Sequence, residues 1–314
     1  MPNTPYSNFF LSNEVEDQFN SHLDLSRFCT VDNSLTGTAG MVRKINVYSA
    51  TNGTEKVSQG NGNTLTITAG YTQKSYTIAL AQNRFVYYDE EAMTDPMVVT
   101  VGMKHCGTDM FNTVNGDIYT EFNKATMVLP TANLDFAAFA DAVAMLNLEN
   151  IEGVEIFAFV CPDDMASLRK TLKDDLKYVE SFSRTGYIGT VAGVNLYTKK
   201  DATAGTVIVG MKKAVTIFNK KGVEVEQSTG STRSADDANI RKNTIFTRKY
   251  YFVALTDERY AVKIGKGLTA TACPSTETTV DSTKTYYAKD GAGYVAVTPA
   301  AGDNPYTKGW YTIA

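Results

Sequence analysis

Histidine is nearly absent from this chain. Only His22 and His105 occur in 314 residues, and neither sits in a metal-ligand spacing such as HExxH. A Ser–His–acid triad would have to use one of these two. Cysteine is sparse: Cys29, Cys106, Cys161 and Cys273 lie far apart and form no CxxC pair. Their spacing excludes both a zinc site and a dense disulfide framework, and they read as reduced thiols of a cytosolic product. No apolar run approaches the ~18 residues needed to span a membrane. "MPNTPYSNFF" lacks a basic region followed by an apolar one, so no secretory signal is visible. Excess charge is missing too: 30 Lys and Arg against 34 Asp and Glu leave a net −4. That excludes a surface built throughout to hold nucleic acid, though not a local basic face.

What remains is a chain that folds. At 43% hydrophobic and 20% charged residues it is neither disordered nor fibrous. Its length suffices for two or three compact units.

Motifs that carry chemistry fail on inspection. His105-Cys106 falls in a helical stretch, where neighbours diverge by ~100°, so a Cys–His nucleophile is not expected. "GTVIVGMKK" (205–213) lacks the Gly-Lys-Ser/Thr of a phosphate loop, and its "TVIV" favours a strand. "GNGNT" (60–64) precedes no helix and reads as a turn. Asp163-Asp164 suits a helix N-terminus. Asp174-Asp175 and Asp236-Asp237 read as solvated faces, since adjacent carboxylates alone do not make acid–base chemistry. Asn52-Gly53-Thr54 matches a glycosylation sequon but is read as a hairpin turn. Tyrosine is common, 18 residues, with pairs at Tyr87-Tyr88, Tyr250-Tyr251 and Tyr286-Tyr287. Such pairs suit stacking on sugars or bases, and more commonly strand propensity and interface use. No catalytic, cofactor-binding or metal-binding residue is assigned, and the chain is not read as an enzyme.

The organisation is more informative. Residues 1–40 form a polar arm with a short weakly amphipathic stretch, "NEVEDQFNSHLDLSRF". Residues 41–93 read as strands and hairpins, with Asn52-Gly53 as a two-residue turn. Much of this region is too polar to pack a core, and a two-stranded ribbon wet on both faces is marginal alone, so it needs a partner. Residues 94–132 switch period. Thr94 or Asp95 caps a helix, Pro96 suits its first turn, and Phe111, Val114, Ile118 and Phe122 mark one face of it. Gly102, Gly107 and Gly116 weaken this helix by roughly 1 kcal/mol each relative to Ala.

Residues 133–230 look like an α/β unit. Phe136, Phe139, Ala140 and Val143 define a helix, "GVEIFAFVC" a buried strand, and "PDDMASLRKTL" a helix with Met165, Leu168 and Leu172 inward. The strands "GTVAGVNLYTK", "TVIVG", "AVTIFN" and "VEVEQ" follow, separated by Gly and Asn. Residues 231–246 are a polar loop, and 247–255 and 259–264 a terminal strand pair. From Gly265 the composition turns to Thr, Tyr, Gly and Pro. "TYYAKDGAGYVAV" is a hairpin pattern and "GWYTIA" an edge strand, giving a module near the lower size limit for independent folding.

This order of elements resembles the major capsid proteins of tailed phages, with the Hong Kong 97-type α+β fold. "VEIFAFVCPDDMASLRK", "YIGTVAGVNLYTKKD", "VEVEQ", "RSADDANIRK" and "YYFVALTDERYAVKI" carry the likeness, which spans roughly Ile45 to Ile264. The resemblance implies an N-arm (1–40), an extended loop and peripheral strands (41–93), and a spine helix with peripheral domain (94–132). It further implies an axial domain (133–230), a return to the peripheral domain (231–264), and an appended β module (265–314) absent from the core fold. It implies no cofactor. The role is a self-assembling icosahedral shell around double-stranded DNA, located in the virion and assembled in a bacterial host's cytoplasm. Partners would be the chain itself in hexamers and pentamers, a separate scaffolding protein, a portal, DNA on the inner face and a decoration protein, with no membrane. Candidate interface residues are Arg43, Lys44, Glu55, Lys56, Tyr71, Arg84, Tyr87 and Tyr88. A cellular encapsulin shell and a virion decoration or adhesive protein remain as alternatives.

Overall fold

The computed structural model describes residues 23–37, 39–149, 153–173 and 189–314. In chain order its strands and helices are β1 (Thr30–Asp32), β2 (Val42–Ala50), β3 (Ala69–Thr77), β4 (Ala79–Tyr88), α1 (Asp89–Thr94), α2 (Met97–Asn123), β5 (Met127–Thr131), α3 (Phe136–Met145), β6 (Ile156–Val160) and α4 (Pro162–Thr171). There follow β7 (Thr190–Val191), β8 (Val194–Thr198), β9 (Thr206–Met211), β10 (Val215–Ser228), α5 (Ala235–Asn239), β11 (Lys242–Leu255), β12 (Ala261–Lys266), β13 (Ala270–Ala272), β14 (Tyr287–Asp290), β15 (Gly293–Ala296) and β16 (Tyr311–Ile313). The helical stretch expected in 13–28 falls mostly outside the described residues. Its described end, Leu25–Phe28, is a 3-10 turn capped by Asp24.

Among the described residues three sheets form: β1-β10-β11-β4, a ten-stranded β13-β16-β14-β15-β5-β12-β9-β6-β8-β7, and the isolated pair β2-β3. The long helix α2 is the divider. Asp95 Oδ1 accepts the Met97 N–H at 3.0 Å to start it. Val114, Ile118 and Phe122 are buried, as their spacing predicts, while Phe111 is half-buried. These α2 side chains pack with Ile217, Tyr251 and Val253 of the four-stranded sheet, and with Phe157, Phe159 and Ile208 of the ten-stranded one. Burial of such a stripe supplies what helix propensity does not. Gly102 has a packing reason: a Cβ there would clash with the tip of the Phe85 ring. The opposite face of the ten-stranded sheet is closed by α3 and α4, with Phe139, Met165 and Leu168 against Ile156, Val209 and Ile264.

Several expectations are corrected. The two halves of "TRKYYFVALTDERYAVKI" are not a strand pair in one sheet. β11 pairs with β4 and β10, whereas β12 crosses to the centre of the ten-stranded sheet, between β5 and β9. A 3-10 turn at Glu258–Tyr260 makes the crossing. "AVTIFN" and "VEVEQ" are one strand, β10, interrupted by a bulge between Lys221 and Glu224. It belongs to the four-stranded sheet, not to the α/β unit, and β5 belongs to the ten-stranded one. The expected loop 231–246 holds α5 and the start of β11.

Asn52-Gly53 is not the hairpin turn. Pairing ends at Ala50–Ala69, and Gly53 is buried against Ile67 without a positive φ. The "GWYTIA" strand, β16, lies between β13 and β14 rather than at the edge. The C-terminal segment, too small to stand alone, leans on the body: β15 pairs with β5, Val295 packs on the main core, and Tyr286, Trp310 and Cys273 form a small core of their own.

Candidate assembly surfaces

The β2–β3 hairpin is the least self-sufficient part of the molecule. Its nine antiparallel pairs run from Val42–Thr77 to Ala50–Ala69, a ribbon of about 30 Å at ~3.4 Å per residue. It has no third strand among the described residues. Apolar and aromatic side chains stand exposed along it, Tyr48 at 73% and Tyr71 at 64%, with Val42, Leu65 and Ile67 beside them. The Tyr48 and Tyr71 rings meet across the strands at 6.0 Å between centroids.

The base of the hairpin, by contrast, is fixed. Tyr76 stacks on Phe252 (5.5 Å, 12°), and Phe252 stacks on Phe218 (4.7 Å, 11°). Leu35, Ile78 and Ala254 complete that cluster, with Ile45 against it. The Ile78 N–H donates to the Met41 carbonyl at 2.8 Å. Lys74 pairs with Glu258 on the crossing turn, and this hydrogen bond holds the Lys74 ammonium above its ordinary pKa. The sequence thus builds a stiff root and an unpartnered blade.

The eight candidate interface residues divide into two groups. Arg43, Lys44, Glu55, Lys56 and Tyr71 lie on the hairpin or its tip, and Arg84, Tyr87 and Tyr88 on β4. Arg43 and Lys44 are exposed opposite Tyr76 and Ser75. Glu55 closes the tip, accepting the Thr64 N–H at 2.6 Å. Lys56 and Arg84 are exposed. Tyr87 is half-buried and stacks on Phe85 (5.6 Å, 24°). Tyr88 is exposed, and its N–H donates to Glu91 Oε2 at 3.0 Å at the start of α1.

A buttress that the sequence did not reveal sits beside this second group. Arg233 donates to both Asp89 oxygens (2.9 and 2.5 Å) and to Asn243 Oδ1 (3.0 and 2.6 Å), and Asn243 Nδ2 donates to Asp89 at 2.8 Å. The Arg233 and Asn243 hydrogen bonds hold the Asp89 carboxyl below the usual carboxylate range. Asp89 lies 144 residues from Arg233 and 154 from Asn243, so no local spacing signals the cluster. Asp163 and Asp164 stand in the first turn of α4, as expected, and Asp164 does more than that. It is buried and accepts the Gly205 N–H at 2.6 Å, tying α4 to the β8–β9 connection. Asp237 pairs with Lys242 at 2.9 Å, and Asp174-Asp175 and His22 lie outside the described residues. His105 is exposed while Cys106 is buried, its thiol pushed up by desolvation, so the two do not form a couple. "TVIVG" is a buried strand. Among the described residues no cluster of metal-ligating side chains occurs.

No family model matches the chain, and no curated protein does. Solved structures do. One described as the capsid structure of the cyanophage P-SCSP1u aligns over 78% of this chain and 89% of its own, at TM-score 0.60 and 14% identity. The capsid of a native GTA particle aligns over 77% and 89%, at 0.60 and 12%. A virus-like particle from Pyrococcus furiosus aligns over 83% and 100%, at 0.50 and 12%. The chain has the Hong Kong 97-type capsid fold. In the terms of that fold, the β2–β3 hairpin is the extended loop and α2 the spine helix. At such identities the likeness fixes architecture alone. No helix among the described residues is long and apolar enough to cross a membrane.

Proposed function

We propose that this chain is the major capsid protein of a tailed phage, a structural subunit that assembles into the icosahedral shell around double-stranded DNA. The observation that carries the reading is the hairpin, with exposed Tyr48, Tyr71 and Ile67 on a ribbon tied to the body only at its base. A surface copy of such a ribbon is marginal in water, and laying it on a neighbouring copy of the same chain removes its apolar side chains from solvent. Heterologous contacts of this kind close into rings and shells when the rotations fit. Arg43, Lys44, Lys56, Arg84, Tyr87 and Tyr88 serve in this reading as contacts that set register. Scaffold, portal and DNA are the further partners, the C-terminal β unit faces a decoration protein or an adjacent subunit, and the product resides in the virion.

The test replaces Val47–Thr72 by a two-residue turn joining Asn46 to Gln73, which keeps Ile45, Lys74 and Tyr76. Sedimentation velocity is expected to show large assemblies for the full chain, with or without co-expressed scaffold, and only monomers for the shortened one. Assembly that survives the deletion would overturn the assigned role of the hairpin. A second reading, a cellular encapsulin-type shell, is favoured by the alignment over the whole length of the Pyrococcus virus-like particle chain. Particle contents separate the two: nucleic acid for the first, a cargo protein for the second.

A further inference from the structure

Three Asn-Gly steps occur in the chain: Asn52-Gly53, Asn61-Gly62 and Asn115-Gly116. Each carries a latent reaction. Glycine has no Cβ, so its backbone nitrogen can come close to the side-chain amide of the preceding asparagine. Two freedoms decide whether it does. The amide must be unbound, and the backbone between the two groups must be able to turn. The fold treats the three steps differently.

Asn115 has neither freedom. It is buried in α2, where its Oδ1 accepts the Leu25 N–H at 3.1 Å and its Nδ2 donates to the Leu23 carbonyl at 2.9 Å. Gly116 lies inside the same helix, so its N–H belongs to the i→i−4 ladder. Asn52 is exposed, but its glycine is not. A Cβ on Gly53 would stand 2.6 Å from Ile67 Cγ1 and 2.8 Å from the Ile67 nitrogen. The Gly53 carbonyl accepts Asn63 Nδ2 at 3.0 Å, and the Thr51 N–H donates to the Thr68 carbonyl at 3.0 Å. The Asn52-Gly53 peptide is therefore clamped on both sides.

Asn61 has both freedoms. It is exposed at the hairpin tip, and among the described residues its side-chain amide has no hydrogen-bond partner. Its own N–H closes a turn onto the Ser58 carbonyl at 3.1 Å, which fixes the chain before it and leaves the bond to Gly62 free. Gly60 (φ +90°) and Gly62 flank it, and a Cβ on either would meet nothing within 4 Å.

We infer that Asn61 is a site of spontaneous covalent modification, passing through a cyclic imide to aspartate and isoaspartate, and that the fold suppresses the same reaction at Asn52 and Asn115. The Gly62 nitrogen loses its proton and attacks Asn61 Cγ. The new N–Cγ bond closes the ring, the Cγ–Nδ2 bond breaks, and Nδ2 leaves with that proton as ammonia. Solvent water then opens the ring. Breaking the N–Cγ bond gives aspartate; breaking the original backbone bond gives isoaspartate. One water is consumed and one ammonia released, with nothing oxidised or reduced. Either product adds a negative charge to the tip, and isoaspartate also lengthens its backbone by a methylene. This chemistry needs no neighbouring copy.

The test incubates the unassembled full-length chain in warm, mildly alkaline buffer, native and in urea. Peptide mapping by mass spectrometry, after digestion at acid pH, follows aspartate and isoaspartate at each step. In urea all three steps are expected to convert at similar rates. In the native chain Asn61 should stay within about threefold of its urea rate, whereas Asn52 and Asn115 fall at least about tenfold below theirs, since they react only on local opening. Gly62→Ala has room for its Cβ and no positive φ to strain it. It should keep the native circular dichroism spectrum and slow conversion at Asn61 at least about tenfold in both states, because the Cβ obstructs the attacking nitrogen. Protection of Asn61 as strong as that of Asn115, or Gly62→Ala converting as fast as wild type, overturns the inference. Conversion of Asn52 as fast in the native chain as in urea overturns the clamp assigned to Gly53.

Discussion

Replacing Tyr76 by Ala separates the hairpin's root from its blade. Tyr76 is half-buried and stacked on Phe252 at 5.5 Å and 12°. Full burial of a large side chain contributes roughly 1.5–3 kcal/mol and an aromatic pair about 0.5–1.5 kcal/mol more. At half burial the sum is about 1–2 kcal/mol. That loss falls on the hairpin, because Phe252 keeps Phe218 (4.7 Å) and the body keeps its two main clusters. Local opening of β2 and β3 should therefore become about tenfold more frequent, since ~1.4 kcal/mol is a factor of ten, and global unfolding, which breaks the same contact, loses the same ~1.4 kcal/mol. Native-state hydrogen exchange on unassembled protein reads this directly: amides of Val42–Ala50 and Ala69–Thr77 exchange about tenfold faster than in the wild type. Tyr71→Ala is the control. Tyr71 is exposed, so stability stays within about 0.5 kcal/mol, while assembly suffers. If Tyr76→Ala leaves hairpin exchange unchanged, the stiff-root account is wrong.

Gly102→Ala is expected to destabilise by about 1–3 kcal/mol through overpacking against Phe85, despite the roughly 1 kcal/mol gain in helix propensity; a rise in melting temperature would contradict the packing. Asp89→Asn removes a carboxylate whose pKa is depressed by Arg233 and Asn243. Its contribution is fully present above the unfolded value of about 3.9 and is lost as pH falls through the lower folded value, so the urea-midpoint gap between wild type and variant is open at pH 6 and narrows below about pH 4. A chain ending at Ile264 loses the Gly265–Thr206 pairing and the 2.7 Å bond from the Lys266 N–H to the Gly205 carbonyl. It should melt below one ending at Leu268, which keeps β12 but leaves β5 as an edge; equal melting temperatures would refute that order. Thiol titration of the native chain should show no fast-reacting cysteine, since burial pushes the Cys29 thiol up to about 12 and the other three are also buried.

The helices and the buried strand were legible because their signals are local. Val114, Ile118 and Phe122 repeat at helical spacing, Pro162 with Asp163 marks a helix start, and Ile156–Val160 is an uninterrupted apolar run that is wholly buried. The polar hairpin was legible as a ribbon in need of a partner, though its turn was misplaced, because Asn-Gly also suits an irregular tip. What failed was the sheet placement of β5, β10 and β12, whereas β6, β8 and β9 do share one sheet. β11 and β12 look like a hairpin around Asp257-Glu258-Arg259, yet both are buried on two faces, and such strands carry no alternation that names their neighbours. The same holds for β10, whose Gly222 sits in a bulge rather than a turn. The C-terminal segment was separated by composition, although Tyr294 and Val295 pair with Val128 and Met127. Of the candidate surface, the hairpin's exposure could be anticipated. The Asp89–Arg233–Asn243 buttress could not, because Asp89 lies more than a hundred residues from the other two.

The measurement that bears most directly on the account is negative-stain electron microscopy of the protein purified alone and with a co-expressed scaffold. Closed shells or ring-shaped capsomers in either preparation are the predicted result. Monodisperse monomers in both, at concentrations where the hairpin remains intact, would contradict the assignment of this chain as a shell subunit.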